Sequence, residues 1–492
     1  MYPFLKPGMN IQLTPSLKYL TQGQMEDIHL ATLEVLENTG VYVANEEALK
    51  LLSEAGAIVK GNIVKYPEYL VKQALATVPS RVVLSNRDGE RVMFLEGRRC
   101  YYGTGSSNPY TNDIYTGEWR DSCKQDVVNG AIVNDYLPNI DFLMSMCLAY
   151  HEIPDMGYVH EYDAMVRNSK KPIIVSCGSG QNCRDIIEMA ETVIGGPEAL
   201  RESMILAVYS ECTSPLQHVN DALEKTLVCA EKWVPVIHTV GQIQGANSPA
   251  TTAGTLIQAN AELLSVIVIH QLKQPGAPIF YGGTISAMDM KTMSYQQGNP
   301  EYQLGCALLA EIGTDYYKMP VFNTGGGTDA KVFDAQAAAE GTYSLLMTSL
   351  AGGNLIHDIG YLDGGLIGSI PQVVFCDEMI GMIKHLMNGV LWTQEDLAVD
   401  AIHSVGPGGN YLKSKHTLRN YKKLHQTDMF ERRLYNAWIK DGSKTLEQKV
   451  EERTKWILAN HKPESLKPDI AVKLDELMVK YEIEYRRVAE TK

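Results

Sequence analysis

Hydrophobic positions along this chain follow two rhythms that change over near Cys100. In residues 21–38, Met25, Ile28, Leu33 and Leu36, flanked by Ala31 and Val35, fall on one helical face, and Gly40 is placed to end the helix. Residues 46–55 repeat that pattern briefly and Gly56 closes it. Residues 63–95 mix short apolar runs with turn signals, and Asn86-Arg87-Asp88-Gly89 predicts a small hairpin. Residues 1–99 are therefore expected to form an α+β extension packed on the main domain.

Beyond Cys100, short apolar or aromatic runs alternate with longer amphipathic ones. Strands are predicted at 101–105, 142–149, 173–177, 204–209, 234–240, 279–282, 321–325 and 354–359. Helices are predicted at 183–193, 216–231, 256–272 and 301–316. Strands alternating with helical crossovers predict an α/β fold, a (β/α)8 TIM barrel over residues 100–378, with an open doubly wound sheet as the competing arrangement. Residues 379–492 read as a helical carboxyl-terminal region: MIGMIKHLMNG, TQEDLAVDAIHSVG, a long run over 417–438, and 446–458 each carry an apolar stripe. The last helix, AVKLDELMVKYEIEYRRV, presents Leu474, Leu477, Met478 and Tyr481 to the barrel or to a second subunit, so a homo-oligomer is expected.

Composition narrows the function classes. With 45% hydrophobic and 21% charged residues, the 492-residue chain reads as an ordinary globular protein, and its net charge of -14 argues against nucleic acid as a partner. The opening MYPFLKPGMN lacks the basic and apolar segments of a secretory signal, and no run of about eighteen uncharged apolar residues appears. The nine cysteines include no C-x-x-C pair. These features predict a cytoplasmic protein with reduced thiols and no membrane span.

Candidate chemistry gathers just after the apolar runs, which in a parallel barrel means at one mouth. Glu211 follows ILAVYS, His238 and Gln242 lie in VIHTVGQIQG, Tyr281 in IFYGG, Asn323 in VFNTGGG, and His357 with Asp358 in LIHDIG. Each also has a plain reading, since a strand-end His packs and a lone Asp caps the next helix. H-E-x-x-H is absent; a metal site would have to be assembled from distant His238, His357 and a carboxylate, and no resident metal is expected. Gly325-Gly326-Gly327 suggests either an anion cradle or close access for a bulky ligand, but the P-loop, dinucleotide and nucleophile-elbow patterns are missing. Tyrosine is abundant, 26 against 8 Phe and 5 Trp, and Tyr101, Tyr102, Tyr110, Tyr209, Tyr281 and Tyr361 fall beside predicted strand ends. Tyrosine rings suit a quaternary ammonium, which offers charge but no N–H.

Longer stretches carry a resemblance: LTQGQMEDIHLATLEVLENTGV, YGTGSSNPYTNDIYTGEWR, SPLQHVNDAL, QIQGANSPATTAGTLIQANAELLSVIVIHQLKQPGAP and GGGTDAKVFDAQAAAEGTYSLLMTSLAGGNLIHDIGYLDGG. Over nearly its whole length the chain resembles the trimethylamine methyltransferase family. That resemblance implies a TIM barrel and a methyltransferase that moves a methyl group from an amine to the Co(I) of a cobalamin-type corrinoid on a separate, cognate corrinoid protein. The trimethylamine enzymes carry pyrrolysine. This chain has ordinary residues throughout, which implies the branch acting on a small quaternary amine, with glycine betaine foremost and proline betaine or carnitine as alternatives; a betaine-binding protein without catalysis is the other reading. On that basis Tyr102, Tyr281 and Tyr361 would line a cation pocket. His357, aided by Gln242 or Asn323, would hold the substrate carboxylate. Glu211 or Asp358 would balance the ammonium or orient His357, and Gly325, Gly326 and Gly327 would let the corrinoid approach.

Overall fold

The computed structural model describes residues 15–390 and 393–491; the MYPFLKPGMN segment lies outside them. Eight parallel strands form the centre: β1 (Tyr101–Thr104), β2 (Leu143–Met144), β3 (Ile173–Ser176), β4 (Leu206–Glu211), β5 (Val236–Gln244), β6 (Ile279–Asp289), β7 (Val321–Thr324) and β8 (Leu355–Ile359). Their ladder runs β1-β8-β7-β6-β5-β4-β3-β2, and a parallel bridge between Gly103 and Phe142 joins the last to the first. The sheet is thus a barrel, and the doubly wound alternative is excluded. Each strand is followed by a helix: α1 (Lys124–Tyr136), α2 (Pro154–Asn168), α3 (Gly180–Ile194), α4 (Asn220–Lys232), α5 (Thr252–Lys273), α6 (Pro300–Glu311), α7 (Ala335–Ala351) and α8 (Ile370–Met387).

Two apolar layers hold this arrangement. The larger lies between strands and helices; the smaller fills the barrel with Tyr101, Phe142, Met144, Ile174, Ala207, Ile237, Phe280, Phe322 and Leu355. The predicted hairpin forms from Val82–Ser85 and Arg91–Leu95 around a turn in which Asn86 Oδ1 accepts from the N–H groups of Asp88 and Glu90. Its Val82, Leu84, Met93 and Leu95 join the barrel interior, so the hairpin closes the amino-terminal end. Phe94 N–H donates to Tyr101 Oη at 2.9 Å, tying the stopper to β1.

Helices Gln22–Asn38 and Glu68–Thr77 pack against α5. By length and composition α5 would cross a bilayer, but 72% of its apolar window is buried in this packing, which explains a helix apolar on all sides. The final helix, Pro468–Thr491, lies on α2 and α3. Its Leu474 and Tyr481 are fully buried, and Tyr481 Oη donates to Glu188 at 2.8 Å.

Two sequence expectations need correction. The helix expected over 417–438 is three short pieces, Lys415–Asn420, Tyr421–Lys423 and Tyr435–Lys440. Leu418, Tyr421, Leu424, Leu434 and Tyr435 remain exposed, so no packed face sustains a continuous helix. Strand β6 does not stop at Gly282 but runs on to Asp289 and returns as Ser294–Tyr295. The glycines there allow close strand approach rather than ending the strand: a Cβ on Gly283 would lie 2.4 Å from Val240 O, at φ +136°. Gly283→Ala is therefore expected to lower stability by about 2 kcal/mol or more, read as a fall in Tm on thermal unfolding.

Candidate active site at the carboxyl mouth of the barrel

Alternation along the strands decides what faces the lumen. On β4, Ala207 belongs to the inner apolar layer, so Tyr209 and Glu211 project inward above it; on β8, Leu355 sets His357 inward in the same way. Asp358 ought then to face the helices. It does not, because β8 carries a bulge: Ile356 pairs Tyr102 and Ile359 pairs Thr104, leaving His357 and Asp358 together opposite Gly103. Asp358 sits at φ +73°, a left-handed conformation unusual for any residue but glycine, asparagine or aspartate. That local turn brings two neighbouring side chains to one site.

The pair is buried, with His357 6% and Asp358 4% exposed. His357 Nδ1 lies 2.8 Å from Asn323 O, a backbone carbonyl, so Nδ1 must carry the proton it donates. Nε2 then faces Asp358 Oδ1 at 3.0 Å. Burial lowers the His357 pKa to about 3 and raises that of Asp358 to about 7. Close geometry alone would suggest an ion pair, but both shifts oppose charge, so near neutrality this contact is a protonated carboxyl donating to a neutral imidazole. The ring stacks on Phe322 with centroids 3.9 Å apart.

Glu211 is open to water at the mouth, yet enough protein surrounds it that burial raises its pKa, with the nearby Asp358 adding to the rise. Tyr209 Oη donates to Glu211 Oε2 at 3.2 Å. Around the two carboxyls stand Tyr209, Tyr295, Tyr302 and Tyr361. Tyr302, from the first turn of α6, reaches Asp358 Oδ2 at a long 3.5 Å, and its ring meets Tyr295 edge-on at 6.2 Å. Tyr361 lies across the end of β1, where Gly105 leaves room for its ring, and its Oη accepts from Ser106 N–H at 2.6 Å. Burial, helped by the negative potential of Asp358, pushes all four phenols up, so they remain neutral donors.

Of the residues singled out from sequence, Tyr209, Glu211, His357, Asp358 and Tyr361 come together. Tyr102, Tyr281, Gln242 and Asn323 do not, because their strand parity turns them to the helix layer. Tyr102 Oη bonds Ser349 on α7 at 2.8 Å, and Tyr281 Oη donates to Asn260 on α5 at 3.0 Å. Gln242 bonds Glu262 and Gln258 of α5, and Asn323 donates to Cys306 O of α6. The run Gly325-Gly326-Gly327 is buried, with Gly325 against Ile356 and Leu345, Gly326 against Ile359 and Cys376, and Gly327 against Gln297. Here these glycines serve close packing within this chain. His238 likewise turns outward to Thr226. Tyr209 is marked in the sequence as a tyrosine beside a strand end, two residues before Glu211; Tyr295 and Tyr302 lie off the strand ends, where no strand signal points.

Among the described residues, His151, His160 and Glu482 are close enough together to hold a metal ion. Ile153 N–H and Lys124 Nζ, however, approach the Nδ1 atoms of His151 and His160 at 3.1 and 3.0 Å. Nδ1 is thus the acceptor in both rings, which leaves Nε2 as the N–H donor, an arrangement that suits hydrogen bonding better than metal ligation.

The comparisons agree with this architecture. A family profile described as trimethylamine methyltransferase (MTTB) matches residues 7–485. The trimethylamine methyltransferase MttB of Desulfitobacterium hafniense (strain DSM 10664 / DCB-2) is 36% identical over 460 residues, covering 93% of this chain and 92% of its own. The glycine betaine methyltransferase of Desulfitobacterium hafniense (strain Y51) is 30% identical over 466 residues, covering 94% and 97%. The crystal structure of the monomethylamine methyltransferase MtmB of Methanosarcina barkeri superposes with a TM-score of 0.54 over 90% of this chain and 88% of its own; at 10% identity it shows a shared fold. With the match running through barrel, extension and tail alike, the chain belongs to the trimethylamine methyltransferase family.

Proposed function

We propose that this protein transfers a methyl group from a quaternary amine to the reduced cobalt of a corrinoid carried by a separate protein. The observation that carries the reading is the cluster of four tyrosines around Asp358 and Glu211, an acidic, aromatic environment suited to a permanent cation. The corrinoid supplies the nucleophile for the methyl carbon. Every other requirement falls to this chain.

A quaternary ammonium leaves as a neutral amine, so no proton need be delivered to it. Asp358 and Glu211 attract the cation, and the tyrosine faces surround its methyl groups. These interactions weaken as nitrogen loses charge, so they serve binding and orientation; the gain in rate comes from holding one methyl toward the mouth. His357 is a positioning residue: with Nδ1 committed to Asn323 O and Nε2 to Asp358, it fixes the carboxyl and has no donor left for a substrate carboxylate.

Tyr361→Leu is expected to raise KM by roughly 2- to 30-fold with a smaller change in kcat, whereas Tyr361→Phe keeps most of the affinity because the ring face remains. Steady-state kinetics of both variants checks this. The function itself is tested by mixing the purified protein with quaternary amines and reduced cobalamin, following methylcobalamin by absorbance and the demethylated amine by mass spectrometry. Binding without either product would instead identify a carrier of the amine. Neither binding nor turnover with any quaternary amine would end the proposal.

A further inference from the structure

We infer that the amine this site accepts carries no carboxylate: it is a hydroxyalkyl or alkyl quaternary ammonium of the choline or tetramethylammonium kind, rather than a betaine. The inference rests on the proposed methyl transfer and concerns only which quaternary amine enters.

What carries it is the distribution of cations. No Lys or Arg stands on any of the eight barrel strands, whose charged residues are Glu211, Asp289 and Asp358. In the loops joining each strand to its helix the cations are Arg120, Lys291 and Lys331. Arg120 is held by Asp113 and Asp126, the latter through both carboxylate oxygens at 2.8 Å. Lys331 is paired with Asp363 at 2.5 Å and also donates to Asp329 O. Lys291 is exposed in the turn after β6, beside Asp289. Lys225, on α4, acts on Glu211 from the helix layer while its Nζ donates to Cys177 O at 3.0 Å.

Most neutral donors are committed as well, and the Tyr295 phenol hydrogen-bonds with Tyr302 and Gln297. His357 uses both ring nitrogens. Gln242 and Asn323 turn outward. The phenols of Tyr209 and Tyr302 point to Glu211 and Asp358, and that of Tyr361 to the Ser106 backbone. A betaine seated with its ammonium between Glu211 and Asp358 would bring its own carboxylate within a few ångström of both acids, and among the described residues no Lys or Arg of these strands and loops is placed between them to offset the repulsion. An alcohol or methyl group in the same place brings no second negative charge and can meet the acids and the tyrosine ring faces without that repulsion.

Calorimetric titration of the purified protein with choline, tetramethylammonium, glycine betaine and carnitine, without corrinoid, separates the classes, and the same panel is then assayed for methyl transfer. The expected result is that choline or tetramethylammonium binds roughly 30-fold or more tightly than either betaine and is the better methyl donor. Glu211→Gln, at a solvent-open position, should narrow that ratio at least several-fold. Glycine betaine or carnitine binding as tightly as the carboxylate-free amines, or a ratio untouched by Glu211→Gln, would overturn the inference while leaving methyl transfer standing. Failure of every amine to bind or react would overturn the proposed function, and this inference with it.

Discussion

Replacing Asp358 by asparagine should reduce kcat/KM for the preferred quaternary amine by about 100-fold or more, since truncating a buried charge that pairs with a cation typically has effects of that order. The substitution isolates charge from shape. Asparagine tolerates the left-handed backbone at φ +73° as well as aspartate does, so the bulge on β8 survives. Its amide can still donate to His357 Nε2, as the protonated carboxyl does. Alanine would confound the result by straining the turn. Stability should move the opposite way. The Asp358 pKa is raised in the fold to about 7 from 3.8, so its favourable contribution is complete below pH 3.8 and is lost as pH rises through 7. At pH 8 the folded protein holds an unfavourable buried carboxylate that asparagine removes, and Asp358→Asn should melt several degrees higher than the unmodified protein. At pH 5 the difference should shrink. A variant with unchanged kinetics, or one that melts lower at pH 8, would remove Asp358 from the role assigned to it.

Affinity for the amine should depend steeply on pH over the same range. A permanent cation favours the ionised carboxyl, so below about pH 7 binding must expel the proton on Asp358, and Kd should rise by up to tenfold per unit of falling pH. From pH 7 to pH 5 that amounts to ~50-fold, since half of the carboxyl is already protonated at pH 7. The groups facing Asp358 preserve this sign. His357, lowered to about 3, stays neutral, so the proton lost from Asp358 goes to solvent and the hydrogen bond it made to Nε2 is given up with it. Tyr209, Tyr295, Tyr302 and Tyr361 do not ionise in this range, and Glu211, also raised by burial, acts with the same sign. Calorimetry in two buffers of different ionisation enthalpy reads the effect directly: about one proton released per amine bound near pH 6 and almost none at pH 8. A Kd that stays level from pH 5.5 to 8 would rule out Asp358 as the counter-charge.

The barrel is legible in the sequence because its strands are buried on both sides and so read as short continuous apolar runs between amphipathic helices. The same fact hides the orientation of each side chain. With no polar face to mark the outside, nothing in VIHTVGQIQG says that Gln242 meets α5, or in VFNTGGG that Asn323 meets α6. Tyr102 and Tyr281 conceal their direction for the same reason. Asp358 is the converse case: parity alone would turn it outward, and only the extra residue opposite Gly103 brings it in beside His357. Glu211 is legible as a charge ending an apolar run, whereas Tyr295 and Tyr302 arrive from the returning arm of β6 and from α6. Fold thus emerges from pattern along the chain. Lining depends on which side of a strand looks inward, a property settled only when the sheet closes.

The hairpin of Val82–Leu95 stops one end of the barrel, so among the described residues the way to Asp358 is the carboxyl mouth. On the proposed reaction, amine and methyl acceptor must both use it, so the amine goes in first and its demethylated product stays trapped until the acceptor protein withdraws. Turnover would then be last in, first out: an excess of acceptor should slow the enzyme by docking on empty barrels, and amine added beforehand should relieve that inhibition.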